Sequence, residues 1–188
     1  MKTIFFAISL LVVAISAIAQ NCPQEGENAP LALHKSWILQ GWERKAGDPP
    51  FIFAQKMKRY YDLQSPTGVY YDNFAPGPQQ LFGNAAIYGA NWEALQNGAR
   101  SVEHALTSGN DQIVDRSVAS TTLGFVGKIT RLNDQVLAFS GRSQLGWACR
   151  DGAWKIRQEL NYAWIVKPED IAQFYTAEMP VPGSTFRM

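Results

Sequence analysis

Asp151-Gly152 is the feature that most constrains this chain. It sits between two long runs, QVLAFSGRSQLGWACR and AWKIRQELNYAWIV, both rich in apolar and aromatic residues. An Asp-Gly pair suits the left-handed residues of a tight two-residue turn, so the flanking runs are expected to pair as an antiparallel hairpin. Gly109-Asn110-Asp111 and Asn133-Asp134 bound two further runs, ARSVEHALTS and QIVDRSVASTTLGFVGKIT, the latter strongly β-branched. Four long strands joined by tight turns predict an antiparallel meander over the second half.

The first half reads differently. In LALHKSWILQGWERK, Leu33 and Trp37 fall four apart, as do His34, Ile38 and Trp42, which predicts an amphipathic helix ending near Gly47. Asp48-Pro49-Pro50 breaks it and opens a second helix over FIFAQKMKRYYDL, with Phe53, Met57, Tyr60 and Tyr61 inward and Lys56, Lys58 and Arg59 in solvent. Val69 to Phe74 predicts a strand, with Gln80 to Phe82 as a short partner. Asn84 is placed to cap a third helix, striped by Ile87, Tyr88, Trp92 and Leu95 and stopped at Gly98. Lys167 to Ala177 predicts a short helix begun by Pro168. Helices first and a sheet second make the chain α+β, one layer of helices on one curved sheet with a concave cavity between them.

The N-terminus, MKTIFFAISLLVVAISAIAQ, has a basic start, an apolar run and small residues at Ala17 and Ala19. This predicts a signal peptide over residues 1–19 and a secreted or periplasmic protein, with no membrane association after its removal. Lipidation of Cys22 is the competing reading, but Gln20 and Asn21 are the wrong type before it. Residues 20–30 read as a flexible leader, 31–166 as one domain, and 167–188 as a short helix and tail. Of 17 Lys and Arg only Lys2 lies in the signal, so the remaining basic residues balance 16 acidic ones. That balance argues against nucleic acid as a partner. Export permits a disulfide between Cys22 and Cys149, and two cysteines do not make a zinc site. No metal or phosphate-binding motif is present.

Three segments together carry a resemblance: FAQKMKRYYDLQSPTGVYYDNFAP, NAAIYGANWEAL and RSQLGWACRDGAWKIRQELN. The chain resembles a SnoaL-like domain of the nuclear transport factor 2-like superfamily over about residues 35 to 164. The resemblance implies a cone-shaped α+β barrel, three helices packed on a highly curved antiparallel sheet, with a deep apolar pocket and frequent homodimers through the outer sheet face. The superfamily includes isomerases, dehydratases and polyketide cyclases as well as non-catalytic binding and assembly modules, so fold alone leaves function open. Many relatives carry a histidine after the glutamate of the last strand; here Glu159 is followed by Leu160.

Asp72 and His104 are the candidate catalytic residues. A carboxylate among aromatics can have a raised pKa and act as a general base; the plainer reading is an aspartate capping the turn that follows. His104 alternates with Val102 and Leu106, which would point it into the cavity as a proton shuttle near neutral pH; the plainer reading is a satisfied core histidine. Arg142 could hold an acidic ligand, or pair with Glu159 across the hairpin on the outer face. Gln158 shares parity with Trp154, Ile156 and Leu160 and is expected to face inward. With Tyr60, Tyr71, Tyr88 and Trp92, these residues suit a small hydrophobic or aromatic ligand with some polar character. The expectation is an exported small-molecule-binding protein, with scope for acid–base chemistry of isomerase, dehydratase or cyclase type that needs no cofactor. The alternatives are a non-catalytic dimerisation or interaction module and a secreted carbohydrate- or aromatic-binding protein.

Overall fold

The computed structural model describes residues 21–176. The expected signal peptide and the tail from residue 177 lie outside the described residues. Among the described residues seven strands form one curved, unclosed sheet: β1 Val69–Asp72, β2 Leu81–Phe82, β3 Ala99–Leu106, β4 Asp111–Val114, β5 Val118–Arg131, β6 Val136–Arg150 and β7 Ala153–Val166. The order across the sheet is β2-β1-β7-β6-β5-β3, with β4 also paired to β5. Helices α1 (Pro30–Ser36), α2 (Phe53–Lys56) and α3 (Ala85–Asn97) precede the meander, and two single turns, α4 (Pro168–Ile171) and α5 (Gln173–Thr176), follow it. The α+β class holds, as does the expected succession of helices and meander.

Tertiary pairing overrides several local expectations. The first helix runs on only through a π-helical turn, Trp37–Gly41. Arg44 then pairs with Val102 on the edge of β3, exchanging backbone hydrogen bonds of 2.9 Å in both directions, and so draws the chain out of helix before Gly47. The second helix shrinks to α2 for a similar reason. Ile156 N–H donates to the Tyr60 carbonyl at 2.8 Å, and Tyr61 bridges Ile156 of β7. The expected long strand from Gln112 folds back on itself as β4 and β5 around Asp115-Arg116-Ser117, closed by Asp115 N–H donating to the Val118 carbonyl at 2.9 Å.

β1 runs parallel to β7, setting Tyr70 beside Glu159 and Asp72 beside Asn161. It stops at Asp72, two residues short of the expected Phe74. Helix α3 starts as expected: the Asn84 side chain accepts from Ala86 N–H at 2.8 Å and Ile87 N–H at 3.2 Å. Its buried face is Ala85, Tyr88, Gly89, Trp92 and Gln96, whereas Ile87 is exposed. The Asp151-Gly152 turn has φ of 51° and 77°, the paired left-handed residues such a hairpin requires. The expected flexible leader is instead tied down. Cys22 is buried and forms a disulfide with Cys149 of β6, and the Trp154 indole donates to the Pro23 carbonyl at 2.6 Å.

The Arg142–Glu159 and Gln158 expectations both fail at one place. Trp147 pairs with Ile156 but Gly146 pairs with Gln158, so Arg157 is an extra residue in β7. Such a bulge reverses the alternation beyond it. Glu159, Asn161 and Ala163 therefore face inward, and Gln158 is exposed. Arg142, itself exposed, pairs with Tyr162, while Glu159 pairs with Leu145.

Candidate active site

A cavity of about 60 Å³ opens between the sheet's concave face and the helices. Trp37, Ile38 and Trp42 come from the first helix and its π-helical turn, and Tyr88, Trp92 and Gln96 from α3. The sheet contributes Asp72, His104 and Asn161, with Phe125, Phe139 and other apolar side chains between them. Phe74, Leu95 and His104 are the lining residues left half-buried, which marks the side where the cavity meets solvent. Water-sized occupancy takes roughly 10–15 Å³ of such space, so the cavity admits about five non-hydrogen atoms.

The Asp72 side chain caps a turn with one oxygen and reaches a buried polar network with the other. Its Oδ1 accepts from Phe74 N–H at 2.8 Å, capping the turn after β1. Its Oδ2 faces a buried polar network, accepting from Asn161 Nδ2 at 3.0 Å and lying 3.1 Å from the Tyr88 hydroxyl. Across Tyr88 lies Glu159, wholly buried, its Oε1 2.7 Å from the same hydroxyl and 2.6 Å from Asn161 Nδ2. Glu159 Oε2 accepts from Tyr61 at 2.5 Å, and the Trp37 indole donates to the Tyr61 oxygen at 2.9 Å. Tyr70 stacks on Tyr88 with ring centroids 5.7 Å apart.

Burial sets the charge state of this network. Loss of water pushes the Glu159 carboxyl up to about 8, against the opposing effect of the hydroxyls that donate to it. Asp72 is raised by the same cause, with its hydrogen bonds from Asn161 and Phe74 opposing. Burial also pushes the Tyr61 and Tyr88 hydroxyls well above the ordinary tyrosine range. No ion pair reaches Asp72 or Glu159 among the described residues.

His104 lies against Phe125 and Phe139, edge-on to both, and burial lowers its pKa to about 3. It is therefore neutral at physiological pH, which removes the expected role as a shuttle that titrates near neutrality. A neutral imidazole remains able to donate or accept one hydrogen bond at each nitrogen. Tyr88 and Trp92 line the cavity as expected. The other ligand-binding candidates do not. Tyr60 is buried elsewhere, its hydroxyl 2.7 Å from Ser36 Oγ, and Tyr71 points to the opposite face of β1 from Asp72. Gln158 lies on the outer face because of the bulge, and Arg142 because it alternates with the buried Gly141, Ser143 and Leu145 of β6.

Seven buried side-chain polar atoms have no hydrogen-bond partner within the protein among the described residues. Five belong to residues lining this cavity: Trp42 Nε1, Trp92 Nε1, Gln96 Oε1, His104 Nδ1 and Asn161 Oδ1. Buried polar groups are ordinarily satisfied, so their concentration on residues around one apolar space sets this region apart from the rest of the core. No cluster of three or more His, Cys, Asp or Glu fit to hold a metal occurs among the described residues.

No protein-family model and no curated protein matches the sequence. Solved structures do. A putative calcium/calmodulin-dependent protein kinase II association domain from Xanthomonas campestris is 16% identical, with 76% of this chain and 91% of that one covered at a TM-score of 0.53. A protein with a cystatin-like fold from Caulobacter vibrioides is 17% identical, with 79% and 95% covered at a TM-score of 0.50. The Kfla4162 protein from Kribbella flavida is 13% identical, with 64% and 83% covered at 0.52. The fold is cystatin-like. This is the architecture implied by the nuclear transport factor 2-like resemblance, and the likeness extends to fold alone.

Proposed function

We propose that this protein binds a compact, partly polar small molecule in the cavity and performs acid–base chemistry on it without a cofactor. The observation that carries this reading is that five residues lining one apolar space each hold a buried polar atom without a partner among the described residues. Two are indole donors, two are amide acceptors, and His104 Nδ1 can be either. A core that served only to hold the fold would leave such atoms paired, because each unpaired one costs about 1–3 kcal/mol. An assembly module needs no such cavity at all.

Asp72 is the base in this reading. It lines the cavity as a carboxylate whose basicity is raised by burial, the property required to take a proton from a carbon next to a carbonyl. Neutral His104 and the indoles of Trp42 and Trp92 are the donors able to steady the enolate oxygen. Isomerisation and dehydration fit this arrangement. The space suits a short chain or a single small ring, smaller than the ligand the aromatic content alone suggests.

The disulfide supports an exported protein, since such bonds persist in oxidising compartments. Pairing with a second copy through the outer face is supported by Leu160, Tyr162 and Trp164, all exposed along β7. Sedimentation of the wild type against a Tyr162→Ser/Trp164→Ser variant tests that pairing; a monomeric wild type excludes it.

The test of the main reading is hydrogen–deuterium exchange at the α-carbon of a small cyclic ketone such as cyclopentanone, followed by NMR. The wild type is expected to accelerate exchange above buffer and Asp72→Asn to lose about a hundredfold or more. Exchange at the buffer rate, with no resonance of Trp42 or Trp92 shifted by the ketone, rejects it.

A further inference from the structure

The hydrogen-bond count around Tyr88 does not close with both carboxyls ionised. The Tyr88 hydroxyl lies 3.1 Å from Asp72 Oδ2 and 2.7 Å from Glu159 Oε1, and it owns a single proton. One contact takes that proton. The other would then set two oxygen lone pairs against each other unless a carboxyl supplies a second proton. The remaining donors are committed. Asn161 Nδ2 sends one N–H to each carboxyl, Tyr61 donates to Glu159 Oε2, and Phe74 N–H donates to Asp72 Oδ1.

We propose that Asp72, Tyr88 and Glu159 form a relay in which the two carboxyls hold one proton between them and exchange it through the Tyr88 hydroxyl. In one state Glu159 Oε1–H donates to the Tyr88 oxygen and Tyr88 donates to Asp72, which is the anion. In the other, the Glu159 proton has moved to the Tyr88 oxygen as the Tyr88 proton moved to Asp72 Oδ2. Two O–H bonds break, two form, and the single negative charge passes from Asp72 to Glu159. No proton enters or leaves.

The surroundings favour one charge over two. Every group facing the pair is neutral: Tyr61 from the segment after α2, Tyr70 from β1, Tyr88 from α3, Asn161 from β7, and His104 on the lining contributed by β3. The Arg157–Asp62 ion pair, 3.5 Å apart, keeps its charges together, and both groups are part-exposed. Two adjacent buried anions with no cation beside them are strongly disfavoured. Glu159, with no surface in water, keeps the proton at rest, and burial raises it to about 8. Asp72 is then the anion on the cavity wall. Glu159 does not line the cavity, so it is a positioning residue that sets the charge of Asp72. Only this catalytic consequence rests on the function proposed above; the shared proton stands or falls separately.

Infrared spectroscopy of the purified protein reads the proton directly and needs no ligand. The wild type at neutral pH is expected to show one buried carboxylic acid carbonyl band that fades as pH passes about 8. Glu159→Gln should lose the band; Asp72→Asn should keep it but have it fade at lower pH, because the neighbouring carboxyl charge that raises Glu159 is gone. Tyr88→Phe, which removes the bridging oxygen, should shift the pH at which the band fades. Absence of any acid band in the wild type overturns the proposal, as does a band that survives Glu159→Gln or vanishes in Asp72→Asn. If Glu159→Gln fails to fold, the wild-type band and its response to Asp72→Asn still decide the matter.

Discussion

Tyr61 gives its phenolic proton to Glu159 Oε2 at 2.5 Å while its oxygen receives the Trp37 indole N–H at 2.9 Å. One hydroxyl thus joins the first helix to β7 at the base of the site. Tyr61→Phe would strand two buried partners at once, the indole and one carboxyl oxygen. The expected loss is about 1–3 kcal/mol of unfolding free energy, since an orphaned buried donor or acceptor forfeits its solvation without recompense. Removing the donor should also raise the Glu159 pKa, because the hydroxyl stabilises the ionised form. Urea unfolding measures the first effect and infrared titration the second. Unchanged stability would mean the bond contributes nothing.

Neither Tyr61 nor Glu159 was legible as a site residue, and the reason is local. Trp154, Ile156, Leu160, Tyr162 and Trp164 fall on one parity of β7, with Gln158 the one polar residue among them. The bulge at Arg157 turns Leu160, Tyr162 and Trp164 outward, so unbroken alternation points to the wrong face. The adjacent polar pair Arg157-Gln158 is the one sequence sign of the interruption. Asp72 and His104 were legible as cavity-facing because the register irregularity of β3, between Ala99 and Ser101, precedes the stretch that sets the His104 face. Asp72 ends a short strand before a turn, and His104 follows Val102 in regular register with β5. The hairpin and α3 were legible from chemistry within a few residues of each turn or cap. The shortened helices were not, because pairing with β3 and β7 involves partners far along the chain.

Stability is expected to peak near pH 6.5. His34 and His104 are held neutral by burial, each with a pKa lowered to about 3 from 6.5. Below 6.5 the unfolded chain takes protons that the folded one refuses, so the stability they confer is full above 6.5 and lost as pH falls towards 3. Glu159 acts in the opposite sense. Its pKa is raised from 4.5 to about 8, so its contribution is full below 4.5 and lost as pH rises through 8. Among these three groups the two histidines outweigh Glu159 between 4.5 and 6.5, with Asp72, also raised by burial, opposing them from its ordinary range upward; of the three, only Glu159 acts from 6.5 to 8. Urea midpoints measured from acid to alkaline pH should trace this curve, with Glu159→Gln flattening its alkaline limb. A wild-type curve that is level from pH 6.5 to 8 would contradict it.

His34 was read only as one member of a helical stripe, yet it anchors that helix to the sheet. Its Nδ1 lies 2.8 Å from Thr121 Oγ1 and its Nε2 2.9 Å from Ser143 Oγ, while the Trp147 indole donates to the same threonine at 2.8 Å. His34→Leu should destabilise by roughly 1–3 kcal/mol, because Thr121 and Ser143 each lose a buried partner. Thermal unfolding of His34→Leu against a Ser143→Ala/His34→Leu double variant separates the causes, with Thr121 kept because it still accepts from the Trp147 indole. Removing the stranded Ser143 hydroxyl should recover part of the loss.

The Cys22–Cys149 disulfide closes a loop of 127 residues in sequence separation, with Cα atoms 5.7 Å apart. Replacing both cysteines by serine is expected to lower stability by about 2–5 kcal/mol. The cavity lies on other residues, so ketone binding at temperatures well below unfolding should persist. Loss of binding with the fold intact, judged by circular dichroism, would show that the N-terminal tether also shapes the site.

Gly89 shows two stability effects in opposition. It lies inside α3, where alanine ordinarily stabilises by about 1 kcal/mol. Here a Cβ would fall 1.9 Å from Phe53 Cδ1. The ring has little room to retreat, being buried against Tyr61 at 4.9 Å between centroids, and the Phe53 backbone N–H is fixed to Glu93 Oε1 at 2.8 Å. Overpacking of this kind costs about 1–3 kcal/mol, which outweighs the helix gain. Gly89→Ala is therefore expected to lower the melting temperature despite its better helix propensity. In a Phe53→Leu background the smaller side chain frees the space, and the same substitution should become neutral or stabilising. Equal destabilisation in both backgrounds would place the strain somewhere other than the Phe53 ring.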